Sequence, residues 1–196
     1  PLLRQDHPLV VGAVELLISG ETGNAAFLVD PTLPPRSAWI TGVFLLECIA
    51  DRSLDVERYL PPQPITITVD SKLAPRDYAP TPQAMTRSDD KPVDLAKFRP
   101  ILSALVPPMK KAAEERATAD AQGLIAAAGE RLAKELGGEL ERLSALKRVN
   151  PSVRDSEIDV LAQQLEALRA ALPQARVRLD AIRLAVSPDF LRLVAG

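Results

Sequence analysis

Hydrophobic residues in the second half of the chain recur at intervals of three and four residues, and Ala, Leu, Glu, Lys and Arg dominate there. These are strong helix formers, and the spacing is typical of a coiled-coil seam. The pattern predicts two helical arms, over residues 108–148 and 155–186. The residues expected in the seam between the arms are Leu132, Leu136, Leu140, Leu143, Ile158, Leu161, Leu165, Leu168, Leu179 and Ile182.

The segment Val149-Asn150-Pro151-Ser152-Val153 separates the two arms. Such a short connection predicts that the arms lie antiparallel and bury their apolar stripes against each other. Pro173 should kink the second arm, and the pair Gly137-Gly138 is the expected weak point of the first. A separate short helix, disturbed by Pro100, is predicted over residues 94–106.

The first half of the chain shows strand patterns. Residues 25–30 form a short apolar run, and residues 38–50 become apolar on both faces, as in a central strand. Residues 65–69 alternate strictly, which places Thr66 and Thr68 on the outward face. Loops separate these three strands, so the sheet is predicted to be mostly antiparallel.

The pattern as a whole predicts an α+β fold, in which a small, mostly antiparallel sheet with flanking helices carries a long antiparallel helical hairpin. Residues 1–72 form the predicted platform, which opens with a helix bearing Leu9, Ala13, Leu16 and Leu17 on one face. Residues 73–93 are a proline-rich loop or linker, and residues 94–186 hold the short helix and the hairpin. The tail, 187–196, is expected to pack on the platform or to be disordered.

Composition narrows the possible classes of protein. The 196 residues include one cysteine and carry a net charge of −2, and no apolar run reaches the ~18 residues needed to span a membrane. A lone cysteine fits a reducing cytoplasm. Because the chain begins at Pro1 rather than at a methionine, it is expected to be a fragment of a longer protein.

Candidate chemistry is sparse. Residues 19–24 superficially resemble a phosphate-binding loop, but the lysine of that motif is absent. His7 has no partner histidine, Cys48 is expected to be buried and inert, and Glu47 is expected to face solvent or to pair with an arginine. Asp89-Asp90 lacks further oxygen ligands at fixed spacing. We therefore predict no catalytic, cofactor-binding or metal-binding residue.

The hairpin tip is the best candidate for an interaction site. Lys147, Arg148, Asn150 and Arg154 cluster around the predicted turn. Across the two arms, however, acidic and basic residues are nearly balanced and no aromatic residue is present to stack on bases. Direct nucleic-acid contact through the tip is therefore an alternative and not the first hypothesis.

Several segments carry a family resemblance, and they occur in order over most of the chain. They are residues 7–9, 19–23, 46–48, 58–65, 143–155 and 174–184. Together they resemble the C-terminal region of the RapA family, the bacterial RNA polymerase-associated ATPases of the SWI/SNF type. The resemblance implies a parent protein that hydrolyses ATP with magnesium and recycles core RNA polymerase. The ATP-binding motifs of that family lie upstream of this region, so no catalytic or cofactor-binding residue carries over.

The resemblance and the residue pattern lead to one first hypothesis. The chain is expected to be a non-catalytic C-terminal accessory domain that contacts core RNA polymerase and the ATPase domains of its own parent chain. One alternative is a structural or self-associating coiled-coil module, and another is nucleic-acid contact through the tip. An independent small-molecule enzyme has the least support, because no nucleophile, base and orienting residue occur together.

Overall fold

A computed structural model describes residues 24–80 and 95–195. It contains a four-stranded sheet, a long helix packed on one of its faces and a helical hairpin, which confirms the α+β class. The predicted N-terminal helix, His7, most of the glycine-containing loop before Asn24 and the Asp89-Asp90 pair lie outside the described residues. The main elements are β1 Ala25–Val29, β2 Ala38–Glu47, β3 Gln63–Asp70, α1 Leu95–Leu132, a π-helical turn Ala133–Gly137, α2 Gly138–Val149, α3 Asp155–Ala171, β4 Arg176–Val186 and α4 Pro188–Ala195.

The sheet has the strand order β1-β4-β2-β3. Strand β2 pairs antiparallel with both β3 and β4, while β1 pairs parallel with β4, so the sheet is mixed. Strands β1 and β4 are separated in the chain by the whole helical region, and this long connection is what allows them to run in the same direction. The prediction of three strands was correct for β1, β2 and β3 but missed β4.

The prediction for the second arm was wrong after Ala171. Helix α3 ends there, and Leu172–Gln174 form a 3-10 turn whose Pro173 cannot donate a backbone hydrogen bond. Leu179 and Ile182 therefore lie in strand β4 and not in the helical seam. Strand β4 has a β-bulge opposite Val43 and Phe44, which inserts one extra residue between Leu179 and Ile182. The side chains of Leu179 and Ile182 therefore point to the same face of the sheet despite their three-residue spacing.

The prediction for the start of the first arm was also wrong. Helix α1 runs without a break from Leu95 and includes Pro100, Pro107 and Pro108. The turns that follow the prolines pack against the sheet, and this burial outweighs the backbone hydrogen bonds that the prolines remove. Most of the buried side chains of α1 are alanines, which form an alanine stripe after Met109: Ala113, Ala117, Ala121 and Ala128. The larger Phe98 and Leu132 are buried nearer the two ends of the helix.

One sheet face forms the core together with α1. Ile40, Phe44 and Leu46 of β2 and Val69 of β3 are almost completely buried there. On the opposite face, Thr68 was predicted to point to solvent, but it is buried. Its hydroxyl lies 2.9 Å from that of Thr41 on β2, so the two hydroxyls satisfy each other.

The antiparallel hairpin is present but short, because it consists of α2 and α3 alone. Its base is well packed, with Leu136, Leu165 and Leu168 buried. No residue of α2 is buried, and the seam residues Leu140, Leu143, Ile158 and Leu161 are only partly covered. The hairpin is therefore a thin projection from the body formed by the sheet and α1.

The chain end returns to the sheet. Ser187 follows β4 directly and is buried; its backbone N–H donates to the Ser37 carbonyl, and its hydroxyl accepts from the Ser37 N–H. Helix α4 starts at the next residue and packs Phe190 and Leu191 against the core. No helix in the described part of the chain is long and apolar enough to cross a membrane.

Candidate functional site

Backbone hydrogen bonds define the hairpin tip. The Asn150 N–H donates to the Leu146 carbonyl at 2.8 Å and ends α2, while the Asn150 side-chain oxygen accepts from the Ser152 N–H at 3.0 Å. The Val153 N–H donates to the Asn150 carbonyl, and the Val153 side chain is buried beneath the turn. Asn150 thus shapes the tip through a local side-chain turn, which is a common role for asparagine.

The tip presents two exposed arginines beside an apolar side chain. Lys147 forms an ion pair with Asp155 across the turn, so part of its charge is neutralised within the chain. Arg148 and Arg154 are exposed and have no ion-pair partner among the described residues. Val149 lies between these groups with 80% of its surface exposed. The structure therefore brings the four predicted interaction residues together at one end of the hairpin.

Polar contacts fix the base of the hairpin to the body. The Arg131 guanidinium donates to the Tyr59 carbonyl at 2.8 Å, and Arg58 forms an ion pair with Glu135 at 3.3 Å. The Cys48 thiol donates to the Ala171 carbonyl at 3.3 Å, and burial raises the pKa of that thiol. A thiol with a raised pKa is a poor nucleophile at neutral pH. The prediction that Cys48 is buried was wrong, because its side chain is only partly covered.

Glu47 was expected either to face solvent or to pair with an arginine, and the structure shows the pairing. Its carboxylate lies 3.0 Å from Arg176 and 3.8 Å from Arg178, both on the neighbouring strand β4. The ion pairs join two neighbouring strands of the sheet. Glu47 therefore helps to hold β2 to β4 and is not a free acid.

Sequence reasoning missed a buried carboxylate at the end of β1. Asp30 is fully buried and accepts hydrogen bonds from the Thr32 N–H at 2.9 Å, the Thr32 hydroxyl at 2.6 Å and the Tyr78 hydroxyl at 2.7 Å. Burial, together with the hydrogen bond to Asp30, raises the pKa of Tyr78 above its usual range. The Tyr78 ring also contacts Trp39 edge to face, with centroids 5.3 Å apart.

A second buried carboxylate ends β3 in a similar way. Asp70 accepts from the Lys72 and Ala74 N–H groups at 2.8 and 2.9 Å and from the Arg76 guanidinium at 2.8 and 2.6 Å. The Arg76 guanidinium also lies 5.9 Å from the centre of the Trp39 ring. The available sequence signal was an aspartate that ends a strand with a hydrogen-bond donor two residues later, the pattern of a side-chain turn.

These two carboxylates fasten the start of the loop after β3 to the sheet. Their oxygens are occupied by N–H, hydroxyl and guanidinium donors, so they are not placed to act as a general base. Within residues 24–80 and 95–195, no group of three His, Cys, Asp or Glu side chains could hold a metal ion. The described residues thus contain two buried carboxylates that anchor a loop, and an exposed hairpin tip.

Comparison with known proteins identifies the family. The profile described as RNA polymerase recycling family, C-terminal, matches residues 1–187. The chain belongs to this family. The sequence resemblance described above is thereby confirmed.

Relatives in Pseudomonas extend the match. The chain is 36% identical over 190 residues to the RNA polymerase-associated protein RapA of Pseudomonas putida strain W619, a match that covers 94% of the chain. It is 35% identical over 187 residues to the protein of that name in Pseudomonas fluorescens strain Pf0-1, and 37% identical over 191 residues to that of Pseudomonas putida strain GB-1; the matches cover 93% and 94% of the chain. Each alignment spans only 20% of the relative. The chain therefore corresponds to the C-terminal region of a much longer protein.

Proposed function

We propose that this chain is a non-catalytic accessory domain through which a RapA-like, RNA polymerase-associated protein contacts other proteins. The partners we propose are core RNA polymerase and the ATPase domains of the same parent chain, in the cytoplasm. ATP and magnesium would be bound by those ATPase domains and not by this chain. The membership of residues 1–187 in the RNA polymerase recycling family supports the polymerase connection.

One structural observation carries the proposal: the tip of the hairpin combines an exposed valine with two guanidinium groups that form no ion pair with any described residue. Arginine is enriched in protein interfaces, and an apolar residue between cations adds buried area at the centre of a contact. The tip is also far from the main core, because α2 contributes no buried residue. A partner can therefore cover Val149, Arg148 and Arg154 without disturbing the sheet.

The test uses the full-length protein and purified core RNA polymerase. The double variant Arg148→Glu/Arg154→Glu should weaken binding by roughly ten- to a hundredfold, because interface arginines are frequent hot spots and reversed charges would be repelled. The matched control is Lys110→Glu/Arg116→Glu, which makes the same charge change on an exposed part of α1. Both variants should retain ATP hydrolysis. Unchanged affinity in the tip variant would contradict the proposed role of the tip.

Nucleic-acid contact is the second candidate, and the two exposed arginines at the tip favour it. The same variants titrated against single-stranded RNA and duplex DNA separate the candidates. Loss of nucleic-acid binding with unchanged polymerase affinity would support this second function instead. Self-association through the seam has less support, since Leu136, Leu165 and Leu168 are already buried within one chain.

A further inference from the structure

Both connections between the hairpin and the body depart from α-helical geometry. The outgoing chain passes through the π-helical turn Ala133–Gly137, and the returning chain passes through the 3-10 turn Leu172–Gln174. Each turn contacts a helix of the opposite chain direction: the π turn contacts α3, and the 3-10 turn contacts α1. π turns, paired glycines and prolines are the usual sites where helices bend.

On the outgoing chain, the fixed contacts stop at the π turn. Arg131 holds the last turns of α1 to the Tyr59 carbonyl, and Arg58 holds Glu135, the third residue of the π turn. Beyond Gly138, the ion pairs that α2 forms with other described residues stay within the hairpin: Glu139 pairs with Arg142, and Lys147 pairs with Asp155 of α3. Polar contacts therefore hold the outgoing chain to the body as far as Glu135, and the polar contacts described for α2 lie within the hairpin.

The returning chain regains its contacts to the body toward the end of α3. The Cys48 thiol on the sheet side donates to the Ala171 carbonyl, the last residue of α3. Leu172 is buried, and Arg176 pairs with Glu47 as β4 begins. Leu165 and Leu168 are also buried, and α3 contacts α1, so contacts to the body begin in the second half of α3 and continue through the 3-10 turn.

The glycines at the π turn have no steric reason to be glycine. Gly137 and Gly138 have right-handed helical backbone angles, and a Cβ atom added to either would meet no atom within 4 Å. Neither packing nor backbone geometry requires glycine at these two positions. The property that distinguishes glycine here is its effect on the stability of the helix. Glycine weakens a helix relative to alanine, and two consecutive glycines do so at the one place where the fixed contacts end.

We infer that the hairpin arm, residues 138–161, pivots relative to the body about a hinge formed on the outgoing chain by the π turn with Gly138 and on the returning chain by the end of α3 with the 3-10 turn Leu172–Gln174. The partly buried leucines between α2 and α3 keep the arm together as one unit while it turns. This inference goes beyond the proposed function, because it holds whatever molecule the tip binds. It also gives the tip a range of positions with which to follow a moving partner.

Distances between two spin labels test the hinge in the full-length protein without any partner. Genetically encoded label sites at exposed Thr66 on β3 and exposed Ser152 in the tip report the arm position by double electron–electron resonance. The wild type should give a broad distribution. Gly137→Ala/Gly138→Ala should narrow it, with the bent population reduced roughly fivefold for each glycine replaced, as the helix propensities of glycine and alanine imply.

The matched control is Gly123→Ala/Gly129→Ala. These glycines also lie in a helix and also leave open space for a Cβ atom, but they belong to α1, where the helix is packed on the sheet. The control should stabilise the helix without narrowing the distance distribution. The hinge would be contradicted if the wild type and the Gly137→Ala/Gly138→Ala variant gave distance distributions of equal width. It would also be contradicted if the control variant narrowed the distribution equally. Because no polymerase is present, this result is independent of the proposed contact at the tip.

Discussion

Asp70 shows how one side chain can fasten a loop. Burial alone would raise its pKa, but the Ala74 and Lys72 N–H groups and the Arg76 guanidinium outweigh burial, and the pKa lies below its ordinary value. Since the folded-state pKa is below that of an unfolded aspartate, the ionised group favours folding. This contribution is complete above about pH 5 and is lost as the pH falls through the depressed pKa.

Asp70→Asn should therefore lower the free energy of unfolding at pH 7 by about 1–3 kcal/mol, because buried donors lose their charged acceptor. It should also flatten the decrease in stability between about pH 5 and pH 2. Urea unfolding at several pH values measures both effects. Asp51→Asn is the control, since Asp51 accepts from the Ser53 N–H in a similar turn but is exposed. A pH slope in Asp70→Asn equal to that of the wild type would contradict this role.

Gly42 is the glycine for which the fold gives a packing reason. It lies in the central strand β2, and a Cβ atom added there would fall 2.6 Å from the Phe44 ring. That ring is 1% exposed, so it has little room to move. Gly42→Ala should lower the free energy of unfolding by about 1–3 kcal/mol through overpacking.

The same substitution should have the opposite sign in a helix. Gly123→Ala places its Cβ atom in open space and should raise stability by about 1 kcal/mol, the difference in helix propensity. Thermal and urea unfolding of the two variants would test the pair. Stabilisation by Gly42→Ala would show that the core is looser around Phe44 than the structure indicates.

At the scale of elements, the alanine stripe decides how closely α1 approaches the sheet. Ala117 is completely buried on α1, the helix that contacts β2 and β3, whereas Ala127 on the same helix is exposed. Ala117→Leu should lower the free energy of unfolding by about 1–3 kcal/mol or more, since three added carbons must displace sheet or helix. Ala127→Leu should change it by less than about 0.5 kcal/mol. Equal effects in urea unfolding would mean that the stripe does not set the spacing.

Local patterns predicted β1, β2, β3 and the hairpin turn, but not β4. Leu179 and Ile182 have helical spacing, and only pairing with β2 and a β-bulge reveals that they share a sheet face. Pro173 was the local signal that the helix stops. The pattern predicts a kink at this proline, whereas the proline lies in the 3-10 turn that follows the end of α3. The alanine stripe looked like half of a seam, because periodicity shows which face is buried and not what covers it.

The candidate site follows the same division. The tip could be predicted, since Lys147, Arg148 and Arg154 flank an Asn-Pro turn in the sequence itself. Two other contacts could not be predicted, because they depend on how separate elements meet. They are the ion pair of Lys147 with Asp155 and the hydrogen bond from Arg131 to the Tyr59 carbonyl. Such contacts become visible only when the whole chain is assembled.

At the scale of the whole molecule, the sheet and the hairpin make unequal contributions to stability. Sheet strands come from both ends of the described chain, and α1 closes the core over them. The outer hairpin adds no buried residue from α2 and only partly buried residues from the first half of α3. The arm should therefore be removable without loss of the body.

Excision of residues 143–161, with the arms rejoined by a short glycine-serine turn, tests this separation. The excised variant should keep its sheet and lose less than about 2 kcal/mol of stability, because the removed seam is partly exposed before excision. Circular dichroism should lose helix signal while the urea midpoint stays near that of the wild type, and the dependence of stability on urea should fall only slightly, in proportion to the small area removed. Collapse of the cooperative transition would instead mean that the distal arm is needed to hold α1 and β4 together, since those two elements join the hairpin to the core.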